Sequence, residues 1–294
     1  MADVSVIIAT RNRTDKVRQA IDSVLAQSEP PREVIVVDDG STDDTRAQLA
    51  AYGSSIRVFH QENGGASAAR NRAVKEAAST WIAFLDDDDV WLPTKIERQW
   101  ALVQQNPALG LVYCSDHAVD ERLNFLYRRD VAPQNRGDVF DRLIVKNFIF
   151  TSCVIARKDL IERSGYMNPA YRFAEDWDLW LKIAATHWVD FVAEPLVLYR
   201  QSNSGCLTQD TPIAERLRDM ERILASATTL RSLPWNIKRQ ARHALELQWA
   251  AVFLNKGDHT RAMWHSLMAA VSDLQSPNGY RALFRSILPK RVNA

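Results

Sequence analysis

The sequence predicts an α/β fold: a mostly parallel central sheet flanked by helices, with a helical appendage at the C-terminal end. Three observations predict it. Through the first hundred residues, short β-branched runs alternate with segments of helical period, the pattern of parallel strands joined by crossover helices. Two of those runs end on acidic clusters, Asp38-Asp39 and Asp86-Asp87-Asp88-Asp89, where ligands of open parallel sheets gather. From about Thr211 the composition shifts to helix formers with heptad-like apolar spacing. The expected division is a sheet domain over 1–210 and a helical region over 211–294.

Val4 to Ala9 reads as a buried strand. Val17, Ile21, Val24 and Leu25 then fall at helical spacing, and Pro30-Pro31 ends that helix. Glu33 to Val37 is a second strand, broken by Asp38-Asp39-Gly40-Ser41. The next helix is expected to be capped around Ser41 to Asp43, where a short side-chain oxygen can take an orphan amide hydrogen. Ile56 to Phe59 is the third strand, and Gly64-Gly65 precedes a helix over Ala66 to Ala78. Trp81 to Leu85 is the fourth strand, and Pro93 opens a helix whose apolar side takes Ile96, Trp100 and Val103. Leu109 to Ser115 reads as a strand, Asp116 to Lys146 as a long connection, and Phe150 to Ala156 as another strand. Trp177, Trp180, Leu181 and Ala184 mark the buried face of a helix over Trp177 to Ala185.

Composition bounds the function. The chain has 294 residues, 46% of them apolar, with 37 Lys and Arg against 36 Asp and Glu. That is enough apolar material for a sizeable core, and a formal net charge of +1 gives no global attraction to nucleic acid. Cys114, Cys153 and Cys206 are widely spaced, form no CxxC or Cys/His ligand cluster and in odd number cannot pair fully, which favours a reducing compartment, and the six histidines form no ligand spacing. Met1-Ala2-Asp3 runs directly into the first strand rather than a secretory leader, so a cytoplasmic protein is expected. The end of the chain, Tyr280 to Arg291, mixes Leu283, Phe284, Ile287 and Leu288 with Arg281, Arg285, Lys290 and Arg291. Such a helix either packs on the protein or rests on anionic lipid at the inner face of the cell membrane.

The acidic strand ends carry the chemistry. Four adjacent aspartates repel one another unless a cation or hydrogen-bond donors offset them. Mg²⁺ or Mn²⁺ suits them, since such ions take one or two carboxylates and let a substrate phosphate supply further oxygens. Asp86 and Asp88, alternate residues of an extended segment, would face the crevice together as metal ligands, leaving Asp87 and Asp89 for ribose, backbone amides or water.

Five stretches occur in order: Val6-Ile7-Ile8-Ala9-Thr10-Arg11-Asn12-Arg13; Val36-Val37-Asp38-Asp39-Gly40-Ser41-Thr42-Asp43; Asn63-Gly64-Gly65 through Ala69-Arg70-Asn71; Phe84-Leu85 with the four aspartates; and Phe173-Ala174-Glu175-Asp176-Trp177-Asp178-Leu179-Trp180. Together they resemble a family 2 glycosyltransferase of the GT-A fold, over roughly residues 3–205. The resemblance implies transfer of a sugar from a nucleoside-diphosphate donor to a saccharide or lipid-linked acceptor hydroxyl, with inversion, in surface polysaccharide or glycolipid synthesis. By position it implies that Thr10, Arg11, Asp38 and Asp39 border the nucleoside and that Arg70 lies near the base or diphosphate. It further implies that Asp86 and Asp88 bind the metal, that Asp87 shares the ribose role, that Asp176 is the general base, and that Glu175 positions the acceptor. Trp180 is expected in the core.

Two departures and two alternatives accompany it. Arg11 stands where many relatives have an aromatic residue, and no histidine follows Tyr199-Arg200. The segment Asp86 to Val90 also satisfies the D-x-D-x-V pattern of haloacid dehalogenase-type phosphatases, although its late position and the Glu175-Asp176 pair speak against that reading. A non-catalytic nucleotide-sugar or carbohydrate binder with the same fold is the other alternative, because fold alone does not establish turnover.

Overall fold

The computed structural model describes residues 1–201, 211–273 and 276–287. These divide into two compact units. The first takes the described residues within Met1–Val139, Phe148–Ala170 and Glu175–Gly205, and the second those within Phe140–Asn147, Tyr171–Ala174 and Cys206–Ala294.

In the first unit β1 (Ala2–Thr10) lies between two parallel neighbours, β2 (Pro31–Asp38) and β4 (Trp81–Asp86), and β3 (Arg57–His60) adds in parallel to β2. Val4, Val6, Ile7 and Ile8 are all buried, as a strand covered on both faces requires. The crossover helices are α1 (Thr14–Leu25), α2 (Thr45–Ala50) and α3 (Ala66–Glu76). Register sets the site: Thr10 pairs with Asp38, Asp38 with His60, and Ala9 with Asp86, so the strand-end side chains line one edge of the sheet.

Beyond β4 the sheet becomes mixed. Here β5 (Val90–Trp91), α4 (Lys95–Gln105), β6 (Leu109–Val119), β7 (Phe125–Arg129), β8 (Ile155–Arg157), α6 (Lys158–Arg163), α7 (Glu175–Ala184) and β9 (Trp188–Arg200) follow. The strand order is β3-β2-β1-β4-β8-β6-β9-β5, with β7 beside β6. The short strand β8 runs antiparallel to both β4 and β6, while β9 runs parallel to β6.

Several sequence expectations change here. Leu25 is 45% exposed, because it falls about a quarter turn away from the buried stripe of Val17, Ile21 and Val24. Ser41 and Asp43 shape the turn before α2 rather than capping it: Ser41 N–H donates to Asp38, and Asp43 Oδ1 accepts from Thr45 N–H. The helix therefore begins at Thr45, with Asp44 at its cap. The segment from Phe150 is not one strand; a 3₁₀ turn, Thr151–Cys153, precedes β8 and aims two hydroxyls at the acidic edge. The connection after Ser115 contains the rest of β6, the hairpin strand β7 and, in the second unit, the one-turn helix α5 (Phe140–Leu143). Trp177, Trp180, Leu181 and Ala184 are buried as expected, and Trp180 packs edge-on to Phe84 at a centroid distance of 5.3 Å.

The C-terminal part of the second unit is helical: α8 (Ile213–Leu230), α9 (Trp235–Asn255), α10 (His259–Ser272) and α11 (Pro277–Ile287). Leu217, Leu245 and Val252 form its core with Met220, Leu224 and Trp249 against them. Among the described residues no helix is long and apolar enough to cross a membrane. Cys114 and Cys153 are buried thiols; Cys206, Ser202 to Ser204 after the Tyr199-Arg200 pattern, and Leu288 to Arg291 lie outside the described residues.

Candidate active site

The edge begins where β1 and β2 end. Asp38 is fully buried and accepts from Ser41 N–H at 2.9 Å, His60 Nδ1 at 2.9 Å and Arg46 Nε at 3.4 Å. Burial alone would raise this carboxyl, but those hydrogen bonds outweigh it and hold the group below the ordinary carboxylate range. Asp39 turns to the glycine loop, accepting from Gln61 Nε2, Gly64 N–H and Gly65 N–H, each at 2.8 Å. With its amide turned to suit its neighbours, Asn63 donates to Asp39 at 2.9 Å and accepts from Arg11 Nη1 at 3.1 Å. Gly40, at φ +78°, allows the turn, because a Cβ there would stand 3.0 Å from Asn63 N.

Asp38 and Asp39 thus spend their oxygens on the loop they shape, and a nucleobase N–H reaching either one must share an oxygen already accepting. Asp39→Asn places an amide NH₂ against backbone donors. It is expected to cost about 1–3 kcal/mol of stability, measured by urea unfolding.

The four aspartates form a tight turn rather than an extended segment, yet two still face outward. Asp87 and Asp89 point inward: Thr10 Oγ1 donates to Asp87 Oδ2 at 2.7 Å, and Asp89 accepts from Ser152 Oγ at 2.5 Å and Arg200 N–H at 2.8 Å. The side chains of Asp86 and Asp88 stay 25% and 15% exposed. Arg13 Nη1 clamps the turn at 3.0 Å from Asp87 Oδ1 and 2.6 Å from Asp88 Oδ2. Burial pushes the Asp87 carboxyl up to about 6 despite the Arg13 charge. Asp89 is also raised, by burial first and then by the charges of Asp88 and Asp86. The turn is therefore an acidic element held shut by cations and hydroxyls of the chain itself.

Glu175 and Asp176 open α7. Arg70 of α3 joins them to the strand edge, with Nη2 2.6 Å from Asp86 Oδ1 and Nη1 2.8 Å from Glu175 Oε1. Arg70, expected near the base or diphosphate, gives its guanidinium to these two carboxylates. Burial opposes its charge, but Asp86 and then Glu175 more than compensate and raise its pKa. Thr151 Oγ1 donates to Asp176 Oδ2 at 2.9 Å. Burial, then the neighbouring Glu175 charge, pushes the Asp176 carboxyl up to about 7, although Thr151 and Arg70 pull the other way. A carboxyl that changes charge near neutrality beside an acidic strand end can exchange protons with a bound hydroxyl.

The family profile described as Glycosyl transferase family 2 matches residues 5–165 of the sequence, which span every strand-end residue above except those of α7 and β9. The chain belongs to glycosyl transferase family 2. This family 2 chain is 32% identical over 203 residues to an uncharacterized glycosyltransferase of Rickettsia typhi, covering 67% of the chain and 63% of that protein. It therefore spans less than two thirds of the length of that relative. It is also 32% identical over 185 residues to WfgD of Escherichia coli, a UDP-Glc:alpha-D-GlcNAc-diphosphoundecaprenol beta-1,3-glucosyltransferase, with 61% of the chain and 69% of that protein covered. The crystal structure of S. aureus TarS 1-349 in complex with UDP-GlcNAc superposes with a TM-score of 0.68 at 16% identity, covering 96% of the chain and 88% of TarS 1-349. That likeness establishes a shared GT-A fold.

Among the described residues of this family 2 chain, no group of three or more His, Cys, Asp or Glu side chains is arranged to hold a metal unaided. The donor set nevertheless fits an ion that arrives with a diphosphate. Asp86 and Asp88 each give one oxygen to an arginine, Asp86 Oδ1 to Arg70 and Asp88 Oδ2 to Arg13, and keep the other outside these contacts. Arg13, Thr151, Ser152 and Arg200 are site-building residues that sequence reasoning did not assign. Arg13 and Arg200 sat within quoted motifs, whereas Thr151 and Ser152 carried no sequence signal.

Proposed function

We propose that the chain is an inverting glycosyltransferase that moves a sugar from a nucleoside-diphosphate donor to a saccharide or lipid-linked acceptor hydroxyl, in surface polysaccharide or glycolipid synthesis. The observation that carries this reading is the Arg70 bridge, which ties the acidic end of β4 to the first turn of α7, beside Asp176. Family membership supports the reaction class, and the acceptor named for WfgD supports a diphospholipid-linked saccharide as the acceptor class.

In this reading Thr10, Arg11, Asp38 and Asp39 border the nucleoside, Asp87 sits behind the ribose, and Asp86 and Asp88 hold Mg²⁺ or Mn²⁺. The ion, when bound, offsets the negative charge that grows on the departing diphosphate. The chain's own groups do the rest. Asp176 takes the proton of the acceptor hydroxyl as that oxygen attacks the anomeric carbon, on the side opposite the departing nucleotide, so one displacement inverts the centre. Thr151 fixes the orientation of Asp176 through its Oδ2, and Arg70 fixes Glu175 for the acceptor while restraining Asp86. Catalysis works on the cytoplasmic side of the membrane, where nucleotide sugars are made.

A screen of nucleoside-diphosphate sugars with Mg²⁺ or Mn²⁺, read by nucleotide release and thermal shift, tests the reading and identifies the donor. Asp88→Ala is expected to weaken Mn²⁺-dependent donor binding at least about tenfold in calorimetry, because one of two carboxylate ligands is lost. Unchanged affinity removes Asp88 from the metal site. Donor binding by the wild-type chain without release or transfer, across the whole screen, favours the non-catalytic binder.

A further inference from the structure

We infer that α10 is a membrane-docking helix, its bare apolar face seating on an anionic bilayer surface. This inference concerns the helical unit and holds or fails apart from the transfer reaction. On α10, Met263, Trp264, Leu267 and Val271 are 43%, 59%, 42% and 59% exposed, and their spacing sets them along one stripe of the helix. The buried positions of the same helix are small: Ala262, Ser266, Ala269 and Ala270. The helix thus packs inward through small residues and turns its large ones to solvent, the reverse of a surface helix built only for its own core.

The inward side is already filled. Gly279 of α11 lies so close to α10 that a Cβ there would stand 2.7 Å from Ala270 backbone atoms, and His259 Nδ1 meets Ser286 O at 3.1 Å. The antiparallel partner α11 therefore covers the small-residue side, and the large stripe has no covering element among the described residues of its unit.

Charge selects the occupant. From His259 to Ala294 the sequence has Arg261, Arg281, Arg285, Lys290 and Arg291 but one acidic residue, Asp273, although the whole chain carries a formal net charge of only +1. Asp273 is paired with Arg239, at 3.4 Å, and Arg261 with Asp258 of the helix cap, at 3.5 Å, whereas Arg281 and Arg285 are exposed. A Trp and aliphatic stripe on one helix and the exposed Arg281 and Arg285 on its antiparallel partner match the chemistry of an anionic headgroup layer over acyl chains. A second copy of this unit would bring like charges together, which disfavours self-association through the same face. The sequence alone leaves Tyr280 to Arg291 either packed on the protein or resting on anionic lipid; α10 supplies the apolar stripe and α11 the exposed arginines.

The test is co-sedimentation of the full chain with vesicles of phosphatidylcholine alone or of phosphatidylcholine and phosphatidylglycerol in equal parts. The chain is expected to partition onto the anionic vesicles and to be released by high salt. Trp264→Ser with Leu267→Ser should weaken that partitioning at least about tenfold, at positions exposed enough to leave the fold intact. Arg281→Glu with Arg285→Glu should do the same without touching the apolar stripe. Bromine-labelled acyl chains should quench a part of the Trp emission that Trp264→Phe removes. No partitioning of the wild-type chain onto anionic vesicles, or equal partitioning by both double variants, overturns the inference. So does a concentration-dependent dimer, seen by light scattering, that the Trp264 and Leu267 changes abolish while vesicle binding is absent.

Discussion

Asp176→Asn is expected to lower the transfer rate about 10²–10⁴-fold while leaving donor affinity within about twofold of wild type. With its amide oxygen accepting from Trp177 N–H, the asparagine can donate its NH₂ to the Thr151 hydroxyl, which turns to accept, so the first turn of α7 keeps its shape and proton acceptance is lost. The pH profile gives a second, independent signature. Because burial beside Glu175 raises Asp176 to about 7, the wild-type rate should climb as pH rises through neutrality and level off above it. The carboxylate is the active form, and below that pH it is progressively protonated. Steady-state nucleotide release between pH 5 and pH 9, values spanning about two units on either side, checks both statements. A variant with undiminished turnover, or a wild-type profile flat through neutrality, removes the base assignment.

Arg70→Ala is expected to cost about 3–5 kcal/mol of folding stability, and most of the activity with it, because it strands acidic groups in a poorly hydrated space. The side chain of Arg70 is only 11% exposed, and its two ion pairs reach carboxylates 14% and 25% exposed. Without the guanidinium, Asp86, Glu175 and Asp176 face one another uncompensated. The sign of the pH effect follows. Asp176, already pushed up to about 7 by burial, loses the Arg70 charge that pulled it down, so its native state binds the proton more tightly than the unfolded chain and the deficit shrinks as pH falls. Urea unfolding at pH 5 and at pH 8, values chosen about either side of Asp176, should show the larger loss at the higher pH. Glu175→Gln in the Arg70→Ala background should recover part of the loss by removing one stranded charge. A single-variant loss below about 1 kcal/mol would mean that water or rearranged side chains replace the bridge.

The parallel half of the sheet was legible because β1, β2 and β4 each carry a continuous apolar run that ends on polar or acidic punctuation, and the crossover helices have clear periods. The second half was not. β9 was missed because Asp190 and the Glu194-Pro195 pair interrupt its apolar pattern, and its pairing with β6 shifts register around Cys114 and Ser115. The segment after Phe150 looked extended because its β-branched residues suit a strand, while the 3₁₀ turn is imposed by the acidic edge it serves. The carboxylates of the site were visible since strand ends announce them. Their restraints were not: Ser152 reaches Asp89 across 63 positions and Arg200 across 111, contacts that only chain closure creates. The burial that sets Asp176 near neutrality belongs to the same class of information.

The union of the Asp86 to Asp89 turn with the first turn of α7 around one donor is the central claim. It is tested most directly by a crystal structure of the chain with Mn²⁺ and the nucleoside diphosphate chosen by the donor screen. The account predicts anomalous scattering from the metal beside Asp88 and the diphosphate, with the nucleoside against the ends of β1 and β2 and Asp176 open to the space beyond the terminal phosphate. Metal and nucleotide bound away from Asp88, or an Asp176 walled off from that space, would contradict it.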